Sequence, residues 1–335
     1  MDTYHAMSSV FHQRLRRNLE QRIIPVTLIG GFLGAGKTTL VDHILQQPSE
    51  ARTDVMIREF SEISIDDQLV SVNNDRVHPQ PGVSMHIDEE TMLYVALDRL
   101  HEERYGKFDR LLLETSGMES PELFLHLFFL WDMPTRYKLL DLITLIDAEY
   151  GALNLDQFPA AVEQVAIADI IAVNKTDLVN EAALKSLESR LRSINPMAKI
   201  VRTTYSRLDL NTLSGTPLYD QLRELPYPEQ EGVNNVDGVT SYAISIDQPL
   251  DKGKVNHWIN ALFNEHGDRI LRSKGFMNFA GEDHRYEFQA VRKTFHSYAN
   301  DLWKDGEERK TVIVLIGVDL PDKKETEDAL LSCIA

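Results

Sequence analysis

The chain has 335 residues, of which 43% are hydrophobic and 26% are charged, and this is the composition of an ordinary globular protein long enough for two domains. No apolar run approaches the roughly 20 residues of a membrane-spanning helix, so a membrane protein is not expected. The formal net charge is −17, from 52 acidic and 35 basic side chains, and its field repels polyanions. Nucleic acid is therefore not an expected partner.

Two further features concern the cellular compartment. We expect an N-terminal extension at residues 1–21, whose arginines lack the apolar core of a secretory signal. An organelle transit peptide is one interpretation, but sparse serine favours a short amphipathic helix in a cytoplasmic protein. The single cysteine, Cys333, forms no internal disulfide, which is typical of a reducing compartment and excludes a site built from several cysteines.

The first strong motif lies between a strand-like run at Val26 to Ile29 and a helical pattern that begins near Lys37. The loop from Gly31 to Thr38 fits G-x-x-x-x-G-K-[ST], the pattern that cradles the phosphates of a nucleoside triphosphate. Its glycines let the backbone bring N–H groups against phosphate oxygens, while Lys37 reaches the β- and γ-phosphates and the Thr38 hydroxyl ligates Mg²⁺. The predicted phosphate-binding residues are Gly31, Gly34, Ala35, Gly36, Lys37, Thr38 and Thr39.

Strand-like apolar runs continue to alternate with helical patterns as far as residue 205. The later runs are Asp54 to Phe60, Arg110 to Glu114, Leu139 to Ile146, Ile170 to Val173 and Ile200 to Thr204. Because several are apolar on both faces, they predict an α/β fold with a doubly wound, mainly parallel sheet over residues 22–205. Ligands of such sheets bind at the carboxyl ends of the strands, so motifs that end strands are the most informative.

The second strong motif, Asn174-Lys-Thr-Asp177, directly follows one of these runs. The Asp177 carboxylate can accept hydrogen bonds from N1–H and the 2-amino group of guanine, while Asn174 serves the O6/N7 side and the Lys175 stem packs over the base. Adenine presents an acceptor at N1, which a buried Asp177 carboxylate would repel. A helix-capping aspartate is the alternative for this motif alone. Together with the phosphate loop, it predicts a guanine-nucleotide site.

A third group of residues supplies candidates for hydrolysis. Glu114 ends a strand and is expected to hold a water of Mg²⁺ or orient the attacking water, and Gly117 can donate its N–H to the γ-phosphate. The acidic stretch Glu59 to Asp67 lies where a switch segment would be, and either Asp66 or Asp67 can act there. A solvated acidic loop is the alternative. The predicted catalytic residues are Lys37, Glu114 and Asp67.

The rest of the chain predicts a linker and a smaller domain. Glycines, prolines and paired asparagines predict a linker at 206–236, and residues 237–335 predict an α+β domain. Its predicted strands and helices are Val239 to Ile246 (strand), Lys254 to Leu271 (helix), Gly275 to Ala280 (strand), Tyr286 to Phe295 (strand), Thr311 to Val318 (strand) and a last helix from Lys323.

These motifs, in this order, resemble the CobW/YjiA-like metallochaperone GTPases. The resemblance is carried by Gly30 to Thr39, Glu59 to Asp67, Glu114 to Gly117, Asn174 to Asp177 and the C-terminal stretch from Leu271-Arg-Ser-Lys-Gly275 through Pro321. It implies a GTPase, with GTP and Mg²⁺ as cofactors, that forms a homodimer or engages a client metalloprotein. It also implies that hydrolysis is coupled to delivery of a transition metal, commonly zinc or cobalt.

One departure from this family concerns the metal. The family carries a Cys-x-Cys-Cys run after a glycine, and here the corresponding residues are Gly82-Val83-Ser84-Met85-His86. A thiolate site needs several deprotonated sulfurs, so tight zinc binding of the family's kind is not expected. Glu62 and His86 are the remaining candidate ligands, and the alternative is that Met85 packs in a core while His86 starts a helix.

The sequence therefore predicts a Mg²⁺-dependent GTPase of the metallochaperone or metalloenzyme-maturation type. Intrinsic turnover should be slow, since no arginine or glutamine is evidently placed to stabilise the transferring phosphoryl group, and unaided switch GTPases turn over at roughly 10⁻⁴ to 10⁻² per second. The alternative is a protein-interaction module that GTP gates without a metal cargo.

Overall fold

The computed structural model describes residues 22–48, 51–57, 77–79, 89–118, 121–129, 132–208, 238–304 and 306–335. Four of the sequence predictions lie outside the described residues. They concern the N-terminal extension, the switch segment with Glu62 and Asp67, the run that ends at His86, and most of the linker. The chain divides into two compact units. The first takes its described residues from Met1–Glu149, Ile170–Leu178 and Val201–Ser214, and the second from Tyr150–Asp169, Val179–Ile200 and Gly215–Ala335.

The first unit is built on a seven-stranded sheet. Its strands are β1 (Ile24–Gly31), β2 (Thr53–Ile57), β3 (Val77–Pro79), β4 (Arg110–Glu114), β5 (Tyr137–Asp147), β6 (Ile170–Asn174) and β7 (Lys199–Arg202). Their order across the sheet is β3-β2-β4-β1-β5-β6-β7, and the five pairs of known register are all parallel. The strand order reverses beside β1, which confirms the predicted doubly wound sheet. The short strand β3 was not predicted, because three residues that include a proline show no periodicity.

Helix α1 (Lys37–Gln46) packs its apolar side against this sheet. It buries Leu40, Val41 and Ile44 in one cluster with Ile29 of β1 and Leu112 of β4. Positions three and four apart lie on one face of a helix, and fully burying each such side chain contributes about 1.5–3 kcal/mol. The unit also contains helices α2 (Glu89–Arg104) and α3 (Glu122–Phe129). The packing of α1 fixes the loop that connects it to β1.

The second unit contains a five-stranded antiparallel sheet with helices. Its helices are α4 (Gly151–Gln157), α5 (Pro159–Ile167), α6 (Glu181–Ile194), α7 (Lys252–His266) and α8 (Lys323–Leu331). Its strands are β8 (Val239–Ile246), β9 (Ile270–Met277), β10 (His284–Val291), β11 (Thr294–Leu302) and β12 (Thr311–Val318), in the order β11-β10-β9-β12-β8. The main core includes Trp258 and Phe263 of α7 packed with Phe288 and Leu315 of the sheet.

Two predictions for this unit were wrong. The helix predicted to reach Leu271 ends at His266, and the residues from Ile270 form β9, whose side chains are buried throughout. The strand predicted from Tyr286 to Phe295 is a hairpin instead, because β10 and β11 pair with Val291 opposite Thr294. Its two-residue turn, Arg292 and Lys293, contains none of the glycine or asparagine that usually marks such a turn.

A buried ionic cluster joins helix α5 to strand β9 within the second unit. Asp169 lies two residues beyond the end of α5, and its carboxylate accepts from Lys274 Nζ at 2.5 Å and from Arg272 Nη2 at 3.5 Å. Arg272 is fully buried, and desolvation lowers the pKa of its guanidinium although Asp169 opposes the shift.

None of the described helices is long and apolar enough to cross a bilayer.

Candidate nucleotide site

The glycine loop follows the carboxyl end of β1 and leads directly into α1. Three of its residues have positive φ angles, with values of 135° at Gly31, 74° at Gly34 and 104° at Gly36. A Cβ on Gly36 would lie 2.6 Å from both Asn174 Nδ2 and Ser206 Oγ. The loop therefore requires glycine for its backbone conformation and for its close packing.

The start of α1 is open to an anion. Gly36 caps this helix, and as a glycine it supplies no side-chain acceptor to the first N–H groups. These donors and the positive end of the helix dipole favour a negatively charged ligand at this position. Lys37 donates through Nζ to the Gly31 carbonyl at 3.0 Å, so its side chain folds back over the loop. Thr39 is exposed on the first turn of the helix.

The Thr38 hydroxyl and the Glu114 carboxylate lie together beside this loop. Thr38 Oγ1 donates to Glu114 Oε1 at 2.9 Å, and Glu114 is 3% exposed at the end of β4. A hydroxyl with a carboxylate behind it is the hard oxygen donor set that Mg²⁺ prefers. A Cβ on Gly117 would lie 2.9 Å from Leu33 N, so the segment after Glu114 also packs against the glycine loop.

Asn174 links the second motif to the glycine loop. Its Nδ2 donates to the Ala35 carbonyl at 2.9 Å and to Ser206 Oγ at 2.8 Å, while its Oδ1 accepts from Ser206 N at 2.9 Å. Ser206 Oγ in turn donates to the Gly36 carbonyl at 2.9 Å. Because both N–H groups of the Asn174 amide are used within the protein, its expected direct contact with the O6/N7 side of guanine finds no support in this geometry. In this structure the residue holds two loops together, and its contact with the nucleotide stays a prediction.

Ser206 was not identified from the sequence. It is fully buried, and both it and Tyr205 take left-handed backbone conformations, with φ angles of 52° and 53°. This conformation costs roughly 1–2 kcal/mol for a residue with a Cβ. Single strained residues of this kind cluster at functional sites, but a lone serine in a predicted linker carries no sequence signal.

The remaining residues of the second motif flank Asn174. Lys175 also has a left-handed conformation, with a φ angle of 59°, and its Nζ lies 2.7 Å from Asp147 Oδ2 at the end of β5. Asp177 lies in a single 3-10 turn, Thr176–Leu178, and is exposed. The sequence reasoning assumed a buried Asp177, and the structure corrects this because the short turn projects past the end of β6.

No further cluster of metal ligands occurs among the described residues. No group of three or more histidine, cysteine, aspartate or glutamate side chains in the described ranges is placed to hold a metal ion. Cys333 is buried in the second unit, and burial raises the pKa of its thiol. The candidate ligands Glu62 and His86, and the catalytic candidate Asp67, belong to segments outside the described residues.

The glycine loop lies between a strand and a helix, and it is joined to an Asn-Lys-x-Asp motif at the end of β6, a strand of the same parallel sheet. These features define the class of a P-loop GTPase. The chain belongs to the CobW/HypB/UreG family, whose nucleotide-binding domain matches residues 25–202. Residues 239–334 match the cobalamin synthesis protein CobW C-terminal domain. The predicted family is confirmed.

Named relatives agree with this membership. The chain is 32% identical to the zinc chaperone YjiA of Escherichia coli, over 90% of this chain and 96% of the relative. It is 28% identical to the zinc chaperone CobW of Pseudomonas aeruginosa, over 89% of this chain and 88% of the relative. The crystal structure of Zn(II)-bound YjiA GTPase from E. coli superposes with a TM-score of 0.67 at 30% identity, covering 94% of this chain and 100% of that one.

Proposed function

We propose that this protein binds guanine nucleotide at the site described above and hydrolyses GTP to GDP and phosphate with Mg²⁺. The observation that supports this most directly is the Asn174 side chain, which bonds Ala35 of the glycine loop and Ser206 at once. One rigid frame therefore carries both the phosphate loop and the base motif. Such a frame can recognise both ends of a nucleotide without rearrangement, which lowers the cost of binding.

At the phosphate end, backbone N–H groups of the glycine loop and of the first turn of α1 bind the phosphate oxygens. Lys37 exchanges its carbonyl partners for the β- and γ-phosphates, since an ammonium binds a phosphate oxygen more strongly than a neutral carbonyl. The Thr38 hydroxyl, with the Glu114 carboxylate behind it, would hold Mg²⁺, and the bound ion would supply positive charge to the phosphoryl oxygens.

The hydrolytic step requires a water molecule oriented toward the γ-phosphate. Glu114 is buried beside Thr38, and its carboxylate can accept a proton of that water in a hydrogen bond. The Gly117 N–H lies in the segment that packs against the loop and can donate to the γ-phosphate. Asp67 stays a prediction for the same step.

At the base end, Asp177 accepts hydrogen bonds from N1–H and the 2-amino group of guanine. The exposed carboxylate becomes covered when the base binds, and its preference for donors then selects guanine over adenine. The Lys175 stem forms one wall of the base site.

Phosphate release with GTP and with ATP, in wild type and in Lys37→Ala, tests this function. We expect GTP turnover, little ATP turnover, and loss of GTP turnover in the variant. Lys185→Ala on the exposed side of α6 is a matched control, because its ion pair with Glu181 is long and exposed. Equal turnover of GTP and ATP, or turnover unchanged by loss of Lys37, would contradict the proposal.

We further propose that the nucleotide cycle serves metal delivery or metalloenzyme maturation in the cytoplasm, with a client metalloprotein or a second copy of the chain accelerating hydrolysis. The relatives named as zinc chaperones support this proposal. A GTPase rate that stays constant across protein concentrations and added partners would contradict the acceleration.

A second candidate is a GTP-gated interaction module without metal cargo. The run Gly82 to His86 motivates it, because no thiolate is present where the resemblance implies three. Equilibrium binding of Zn²⁺ and Co²⁺ with GTP present distinguishes the two. A stoichiometric, GTP-dependent site would eliminate the second candidate, and binding no tighter than that of a free histidine would favour it. His86→Ala should weaken any such site if His86 is a ligand.

A further inference from the structure

Asp147 ends strand β5 beside the base motif, and the sequence reasoning gave it no role. Its Oδ2 lies 2.7 Å from Lys175 Nζ. The Asp147 side chain is 5% exposed, whereas that of Lys175 is 35% exposed. The carboxylate is therefore the fixed partner, and the long lysine side chain is the part that it restrains.

The surrounding backbone holds this carboxylate in one orientation. Asp147 Oδ1 accepts from Glu149 N at 2.8 Å, and Ala148 N donates to the Asn174 carbonyl at 2.9 Å. Asp147 also pairs directly with Asn174 in the parallel register of β5 and β6. The turn after β5 and the start of the base motif thus form one hydrogen-bonded unit, with Lys175 joined to it at its ammonium group.

The backbone of Lys175 is constrained as well. Its left-handed conformation has a φ angle of 59°, and its carbonyl accepts from Leu178 N at 3.0 Å. Both ends of the Lys175 side chain are consequently held, at Cα by the turn and at Nζ by Asp147. A lysine held at both ends keeps its four-carbon stem in place, and it has already lost the rotamer freedom that binding would otherwise remove.

We propose that Asp147 is a positioning residue for the purine base, because it holds the Lys175 ammonium so that the stem forms a preorganised wall of the base site. This inference rests on the proposed guanine-nucleotide function. The Lys175 stem contacts the flat face of the base, which is alike in all purines. Loss of Asp147 should therefore weaken the binding of every purine nucleotide equally, and the preference between purines that differ at their edges should not change.

A purely structural ion pair is the competing explanation. A pair in which one partner is one-third exposed contributes little to folding stability. Nucleotide affinity therefore separates the two explanations, because a purely structural pair would leave GDP affinity unchanged in Asp147→Asn.

The experiment measures GDP and IDP affinity by calorimetry in wild type, Asp147→Asn, Lys175→Met and the double variant. Asn is isosteric with Asp and keeps an acceptor for Glu149 N, but removes the charge that holds Lys175. We expect each single variant to weaken GDP binding about tenfold. In the variants the Lys175 side chain, or the Met that replaces it, is ordered only when GDP binds, and the entropy cost of ordering one such side chain corresponds to about that factor in affinity. The double variant should be no weaker than either single one, because both remove the same interaction.

A matched control is Asp109→Asn, which breaks the ion pairs of Asp109 with Arg22 and Arg52 before the start of β4. This variant should leave GDP affinity unchanged, because Asp109 lies at the amino ends of the parallel strands and the nucleotide site lies at their carboxyl ends. The ratio of GDP to IDP affinity should be the same in wild type and Asp147→Asn.

Additive losses in the double variant, or wild-type affinity in Asp147→Asn, would overturn the inference alone. A changed ratio of GDP to IDP affinity would also overturn it, because the residue would then act on the base edge. If wild type itself fails to bind GDP, the proposed function falls and the inference falls with it.

Discussion

Replacing Ser206 by alanine tests whether the phosphate loop and the base motif share one frame. The substitution removes the hydroxyl that accepts from Asn174 Nδ2 at 2.8 Å and donates to the Gly36 carbonyl at 2.9 Å. It keeps the backbone bond from Ser206 N to Asn174 Oδ1. The left-handed backbone costs the same for alanine as for serine, so the hydroxyl alone is tested.

The expected magnitude follows from two buried hydrogen bonds. Each contributes about 1 kcal/mol net, so Ser206→Ala should lower the free energy of opening the loop by about 2 kcal/mol. This corresponds to an opening equilibrium about 30-fold more populated. Ser206→Gly also removes the hydroxyl but relieves the backbone strain, so its effect should be smaller by about 1 kcal/mol.

Hydrogen–deuterium exchange of a peptide spanning residues 32–46 reports this opening directly. We expect its protected amides to exchange about 30-fold faster in Ser206→Ala, while a peptide from α7 is unchanged. Ser193→Ala is the control, because it removes an exposed hydroxyl that donates to the Arg190 carbonyl of its own helix, in the second unit. Unchanged exchange in Ser206→Ala, or a larger effect of Ser206→Gly, would refute the reasoning.

Three further substitutions have defined outcomes. Gly31→Ala places a Cβ 2.5 Å from a carbonyl oxygen of β5. We expect the free energy of unfolding to fall by more than about 2 kcal/mol and calorimetry to show no GDP binding. Asp169→Asn leaves Arg272 and Lys274 as buried cations without their carboxylate and should lower the free energy of unfolding by about 3–5 kcal/mol. Burial lowers the pKa of His101 below its ordinary 6.5, so the unfolded chain takes up the proton at a higher pH than the folded chain does. The contribution of the neutral, buried imidazole to the free energy of unfolding is therefore complete above pH 6.5 and is lost as the pH falls below it. In His101→Phe the melting temperature should therefore change less between about pH 7 and pH 5, and an unchanged pH dependence would contradict this assignment.

The parallel sheet and the phosphate loop were predictable because their signals are local. Strands covered on both faces appear as continuous apolar runs, and the spacing from Gly31 to Thr38 is the one with which a P-loop brings backbone amides against phosphate. The hairpin of β10 and β11 could not be predicted, because Arg292 turns the chain in a left-handed conformation without glycine.

The internal organisation of the site was less predictable, because it depends on residues far apart in the chain. Asp147, Asn174 and Ser206 come together only when β5, β6 and the loop after β7 are adjacent, and no periodicity records that proximity. The role first given to Asn174, a direct contact with guanine, was inferred from its hydrogen-bonding groups alone. The structure shows that neighbouring protein groups already use them.

The affinities of wild type and Asp177→Asn for GDP and XDP test the central claim most directly. Xanthine carries a carbonyl where guanine carries the 2-amino group, so a carboxylate should prefer GDP and an amide should prefer XDP. We predict that wild type favours GDP by at least about a hundredfold and that Asp177→Asn reverses the preference. Equal affinity for both nucleotides in wild type, or a preference that the substitution leaves unchanged, would contradict the assignment of Asp177 to the purine edge.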